Sequence, residues 1–224
     1  MYEWILPLIV GIIALVICAT LFKIYAQKRR MHHLLWAVGM LLWAVSDFTQ
    51  LYALLLSWTV AIYLAYFFSS IMLAGFLGAG TLYLVRPQGR ISQVYLWFNI
   101  IAGIALIIAI SLAPINAAAL KNAVAGANGI SGLSNDIAAI VNIPALFTFV
   151  GGALYGFIRW RKLYALLIAI GGAVPALGGT FAAVAIPALL PYTDFIGIIF
   201  LGAGFYLSFN SATRKKDDQK GKRK

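Results

Sequence analysis

The sequence predicts an all-α integral membrane protein of seven transmembrane helices, with its N-terminus outside and its C-terminus cytoplasmic. Three observations carry that prediction. Charged residues make up 10% of the 224-residue chain and hydrophobic residues 63%, at a mean hydropathy of +0.94, whereas soluble domains carry about 25% charged residues. Seven apolar runs each reach the roughly 20 helical residues needed to cross about 30 Å of hydrocarbon. Sixteen of the 17 Lys and Arg residues fall on one side of those runs. Helices are the required solution, because backbone amides in lipid must be satisfied within their own segment, and the alternating pattern of a membrane barrel is missing.

The first helix, roughly 4–26, ends at the basic stretch "QKRRMHH". It contains Cys18, the single cysteine, which has no disulfide partner within the chain and reads as a small packing residue. The start "MYEWILP", with Glu3 and no basic stretch, is not expected to be a cleaved leader. The second helix, roughly 33–55, opens from that basic turn and ends at "LSW", where the third, roughly 58–85, begins. "RPQGR" separates the third from the fourth, roughly 91–113. A small-residue-rich outer loop, 114–135, follows, and "SND" at 134–136 is expected to cap the fifth helix, roughly 136–159. "RWRK" leads into the sixth, roughly 163–189. "LPYT" leads into the seventh, roughly 193–212, with "TD" at 193–194 as its expected cap. Asp136 and Asp194 are then explained by the positive ends of helix dipoles.

Residues 1–212 thus form one transmembrane domain, and 213–224 form a basic cytoplasmic tail. Orientation follows from four basic residues in the first loop, two in the third, three in the fifth and seven in the tail, with Lys121 alone opposite. Aromatic belts agree, with Trp4, Trp58 and Tyr192 outside and Tyr25, Tyr83 and Trp160 inside. The formal charge of +11 therefore reflects topology and argues against nucleic acid as a partner. The tail "RKKDDQKGKRK" reads either as a topogenic extension or as an attraction for anionic lipid.

The pentapeptide "FLGAG" occurs at 76–80 and again at 200–204, and "RRMHHLLWAVGMLLWA" at 29–44 aligns without gaps to "RKLYALLIAIGGAVPA" at 161–176. The offsets are 124 and 132 residues, so a gap of eight near the outer turn reconciles them. Residues 1–90 and 136–212 are expected to be parallel repeat halves, with helix 91–113 as the linker. Biased composition on a shared topology is the competing explanation. Parallel repeats recur in transporters, with the site between the halves.

One carboxylate falls well inside a span. Asp47 sits about 20 Å along the second helix at 1.5 Å per residue, and an intramembrane acid marks a functional-site hypothesis. Trp36, Met40, Trp43, Asp47 and Gln50 share its helix face, and Tyr63, Tyr66 and Ser70 share a face of the third helix. The expected ligand-binding residues are Asp47, Trp43, Gln50, Tyr63 and Tyr66. Asn99, Asn142, Thr148 and Thr180 are further candidates for a polar, aromatic pocket, and a purely structural hydrogen-bond network is the equal alternative. Pro144 and Pro175 interrupt helices and free carbonyls. His32 and His33 are adjacent, so they point to different faces and are expected in the headgroup region. No metal cluster, nucleophile motif or phosphate loop appears, so neither a cofactor nor an enzymatic activity is expected.

The topology resembles that of microbial rhodopsins, which hold retinal on a lysine midway along the seventh helix; here no lysine precedes Lys215 in that segment, so retinal is not implied. It also resembles sugar-transporting three-one-three proteins, although "PLIVGIIALVICATLF" and "VNIPALFTFVGGALYG" lack their Pro-Gln motif. "LLWAVGMLLWAVSDFTQLYALL" followed by "AGFLGAGTLYLVRP" resembles an uncharacterised family of prokaryotic seven-helix membrane proteins. That resemblance implies a fold and no activity.

The functional expectation is a small-molecule or ion transporter or binding protein of the plasma membrane, with Asp47 as proton or cation acceptor. The alternative is a sensor or accessory subunit acting through a membrane partner or as a homo-oligomer.

Overall fold

Backbone groups facing hydrocarbon have no water to bond, so each apolar run closes its own i→i−4 ladder. The computed structural model describes residues 4–221 apart from 88, 122–128, 131 and 185–186, and side chains outside 121–128, 131, 181–187 and everything from 209 onward. Helices α1 (Ile5–Lys28), α2 (Met31–Leu56), α3 (Val60–Val85) and α4 (Arg90–Leu112) are continuous. The fifth span, Leu133–Trp160, consists of α5 (Leu133–Leu146), a π turn (Phe147–Gly151) and α6 (Gly152–Trp160). Helices α7 (Leu163–Val184) and α8 (Leu190–Gly221) complete the chain. Seven spans are long and apolar enough to cross a membrane. No strand occurs among the described residues beyond a single bridge, Ile115 to Ile130.

The π turn follows a proline. Pro144 lies inside α5 and lacks the N–H that would close its turn. One turn on, the Thr148 hydroxyl donates to the Pro144 and Ala145 carbonyls, at 2.9 and 3.1 Å.

Two of the expected helix caps are corrected. The fifth span starts at Leu133 behind Gly132, whose φ of 71° suits glycine, and no side chain caps it. Helix α8 starts at Leu190, with Pro191 in its first turn, as proline prefers. Thr193 and Asp194 therefore lie inside the helix rather than before it.

Six spans close a ring: α1 on α2, α2 on α3, α3 on the fifth span, the fifth span on α7, α7 on α8, and α8 back on α1. Helix α4 stands outside it, packed on α3 and the fifth span. The turns carrying Lys28–Arg30, Arg86–Arg90 and Arg161–Lys162 share one end of the bundle, called the basic end here. The turn at Ser57–Thr59, the end of α4, the start of α5 and the start of α8 share the other, the loop end. Toward the basic end the ring is filled by apolar side chains, among them Met40, Leu77, Phe149, Leu201 and Phe205. Trp36 crosses it, donating from its indole to the Leu77 carbonyl at 3.2 Å and to Thr81 at 3.3 Å, and packing on Phe205 at 5.2 Å between ring centroids. Cys18 is buried in this same core, a packing role as expected.

Glycine lets the hairpin helices approach. A Cβ on Gly171 would lie 2.6 Å from the Leu201 backbone nitrogen and 2.9 Å from the Gly197 carbonyl oxygen. On Gly39 it would meet chiefly the flexible Leu77 side chain, at 2.8 Å, and on Gly179 it would meet nothing. These three positions therefore differ in the response to alanine. Gly171→Ala is expected to destabilise by about 1–3 kcal/mol, as overpacking does, and Gly39→Ala by less. Gly179→Ala should stabilise by about 0.5–1 kcal/mol through lost chain entropy. Thermal unfolding in one detergent, followed by circular dichroism, gives the ranking.

Candidate functional site

The face of α2 that carries Trp36, Met40, Trp43, Asp47 and Gln50 turns into the ring, and all five residues are buried. Asp47 is 3% exposed and Gln50 1%. The Trp43 indole N–H, one turn back along the helix, donates to the Asp47 carboxyl. That bond serves only part of the group: Asp47 Oδ2 has no hydrogen-bond partner, and neither has Gln50 Nε2. Buried polar atoms are bonded in the large majority of cases, so two orphans three residues apart on one helix face identify the polar centre of the bundle.

The α2–α3 hairpin brings the aromatic side of the site to this face. Ser57 reverses the chain at φ 89°, a conformation sparsely populated by non-glycine residues. Thr59 accepts from the Ile62 N–H and caps α3. Tyr63 and Tyr66 follow in its first two turns, both buried. Trp58, at 8% exposure, is not a belt residue facing the membrane surface as expected. It packs edge-on against Tyr63 and Tyr66, at 5.8 and 5.3 Å between centroids. Gly129 reaches the same place, where its backbone N–H donates to the Tyr63 hydroxyl. Asn116 N–H bonds the Gly129 carbonyl at 2.9 Å.

Helix α8 supplies a residue that sequence reasoning assigned elsewhere. Asp194 lies close enough to Asp47 and to Tyr66 to interact electrostatically with both. Gly178 lets α7 press against Thr193, and Thr193 donates to the Leu190 carbonyl at 2.9 Å, so the residue before Asp194 is held firmly. Asp194 is partly exposed, unlike Asp47. The site thus draws on α2, α3 and α8, with two carboxyls, one amide and four aromatic rings.

Other candidates are not part of it. Asn142 and Thr180 face outward from the bundle, and Thr180 returns its hydroxyl to the Ala176 carbonyl at 2.9 Å. Asn99 and Thr148 belong to a separate cluster with Tyr95 between α3, α4 and the fifth span; the Thr148–Tyr95 hydroxyl distance is 3.3 Å, and Asn99 fills the space left by Gly75. Ser70 bonds its own helix through the Phe67 carbonyl. His32 and His33 are both buried at the basic end, 4.0 Å apart between centroids, rather than pointing to different faces, because the face of α2 that holds Trp36 carries them inward. Among the described residues no group of three or more His, Cys, Asp or Glu is placed to hold a metal ion.

Comparison of the chain with family models, with curated proteins and with solved structures returns no match.

The orphan atoms set a stability signature. A buried polar group without a partner costs about 1–3 kcal/mol. Gln50→Leu is expected to unfold at a temperature equal to or above the parent's, with a gain of about 1 kcal/mol. Trp43→Phe should destabilise, since it strips the carboxyl of its donor. A loss of stability on Gln50→Leu equal to that of Trp43→Phe, in the same unfolding assay, would mean that the amide is bonded.

Proposed function

We propose that this chain is a small-molecule or ion transporter or binding protein whose site lies within the helix ring. Asp47 acts there as proton or cation acceptor. Trp43 orients it, and Gln50, Tyr63 and Tyr66 line the ligand's position. The single observation that carries this reading is the unpartnered Asp47 Oδ2 inside a membrane-spanning helix. A carboxyl retained only for packing would have its oxygens satisfied. We place the protein in the plasma membrane with its N-terminus outside, on the strength of the basic turns. The absence of a nucleophile motif in the sequence favours binding or transport over catalysis.

The reading includes an internal duplication of a three-helix unit, with α4 as linker, and contacts related by the two offsets support it. Gly39 abuts the Leu77 side chain and the Leu73 carbonyl, while Gly171 abuts Leu201 and the Gly197 carbonyl. Gly80 faces Trp36, and Gly204 faces Ile168. Arg29 and Arg161 end their helices at φ 51° and 50°, and their N–H groups bond Tyr25 and Phe157 carbonyls at 2.7 Å in both cases. Gly78 packs on Ala145 and Thr148 of the fifth span, and Gly202 packs more loosely toward Ile13 and Ile17 of α1. These matched contacts favour duplication over the competing explanation, biased composition on a shared topology.

The near-complete burial of Asp47 favours a second reading, in which a sensor or an accessory subunit holds its ligand without moving it. Proteoliposomes with an entrapped pH-sensitive dye separate the two. Solutes are presented by class, as sugars, carboxylates, amines and inorganic cations. A solute-driven flux that falls at least tenfold in Asp47→Asn is the expected result. Equal flux in parent and variant removes the acid from the mechanism. No flux in the parent, together with a stoichiometric membrane partner retained in mild detergent, establishes the second reading.

A further inference from the structure

The identity of what Asp47 accepts rests on the reading above and goes beyond it. Asp194 of α8 lies within electrostatic reach of Asp47 of α2, toward the loop end of the ring. Like charges at close range in a low-dielectric site repel strongly, and a positive partner relieves both. The described Lys and Arg side chains do not supply one: all belong to the last turns of α1 or α6, the first turn of α4, or the loops of the basic end, while Lys121 lies outside the described side chains. Asp47 keeps Oδ2 without a partner because Trp43 engages the carboxyl from one side only, and one turn further along the same face the Gln50 Nε2 is also unpartnered. The remaining walls are the rings of Trp43, Trp58, Tyr63 and Tyr66.

That donor set discriminates between cations. Hard metal ions ask for about six to eight oxygen ligands, and two carboxyls with one amide fall short of it. An ammonium group asks for one or two carboxylates, and aromatic faces stabilise it further. We infer that the site takes an organic monocation, a protonated amine with an apolar or aromatic body, seated between the Asp47 and Asp194 carboxyls against the aromatic wall. Asp194, the partly exposed member of the pair, meets the ligand first, and Asp47 holds it.

The test is equilibrium binding of radiolabelled phenethylamine to the full chain in lipid nanodiscs, with 2-phenylethanol as the neutral analogue of matched shape. Saturable binding is expected, weakened at least tenfold by Asp47→Asn and by Asp194→Asn, and not competed by 2-phenylethanol. Asp136→Asn, an exposed acid at the start of α5, should bind as the parent does. Tyr66→Leu keeps both acids and should weaken binding several-fold, which gives a second readout where Asp194→Asn fails to fold. Equal competition by 2-phenylethanol, or parental affinity in Asp194→Asn, overturns the inference. An Asp47-dependent sodium or proton flux without phenethylamine binding also overturns it and leaves the proposed function standing. No change in flux or binding on Asp47→Asn removes both.

Discussion

The closeness of the hairpin helices is the constraint on which the rest depends. In lipid no hydrophobic force draws one helix to another, so association rests on how closely backbones can approach. Gly171 against the Leu201 amide and the Gly197 carbonyl is the tightest statement of this. At that contact the α7–α8 pair admits no Cβ, and the pair in turn fixes where α8 begins. Gly178 against Thr193 then sets the rotation of the first turn of α8 and sends Asp194 inward. The position of one carboxyl is thus traceable to two hydrogen atoms standing where side chains would be.

The second hairpin pairs with the first in a different chemistry. Helix α2 turns Asp47 and Gln50 toward α8, and α3 adds Tyr63 and Tyr66, with Trp58 folded over them from the Ser57 reversal. Polarity is thereby confined to the loop end, while Trp36, Phe205 and Leu77 close the basic end with apolar surface. Burial of Asp47 and Gln50 without full hydrogen bonding is a cost carried by the folded chain. Close packing of the hairpins is what allows the fold to bear it.

Much of this was legible in the residues. The seven spans follow from apolar length, and the inward face of α2 follows from its 3.6-residue spacing, which placed all five of its residues correctly inside. Asp194 was missed because "TD" after "LPYT" looks like a capping pair. Pro191 was the contrary signal, since proline is favoured in a first turn and moves the helix start upstream. Trp58 was missed because an interfacial tryptophan and a tryptophan folded back by a positive-φ serine have the same sequence context. Asn142 and Thr180 illustrate the reverse error. Polar residues in spans satisfy themselves on their own helix, as Thr180 does through the Ala176 carbonyl, and such self-satisfaction leaves no trace in spacing. The Gly129 contact with Tyr63 joins a loop to a helix across 66 residues, and nothing local in sequence encodes it.

Helix α4 makes the ring mechanically lopsided. It braces the seam between α3 and the fifth span from outside, touching both, whereas the seam between α8 and α1 has no such buttress among the described residues. The unbraced seam is also the looser one: a Cβ on Gly202 would find Ile17 and Ile13 only at 3.6 and 3.9 Å, while on Gly78 it would run into the Thr148 hydroxyl. Of these two seams, strain applied to the ring therefore falls more on the α1–α8 one. Asp194 rides on α8, so the partly exposed carboxyl sits on the more yielding of the two walls.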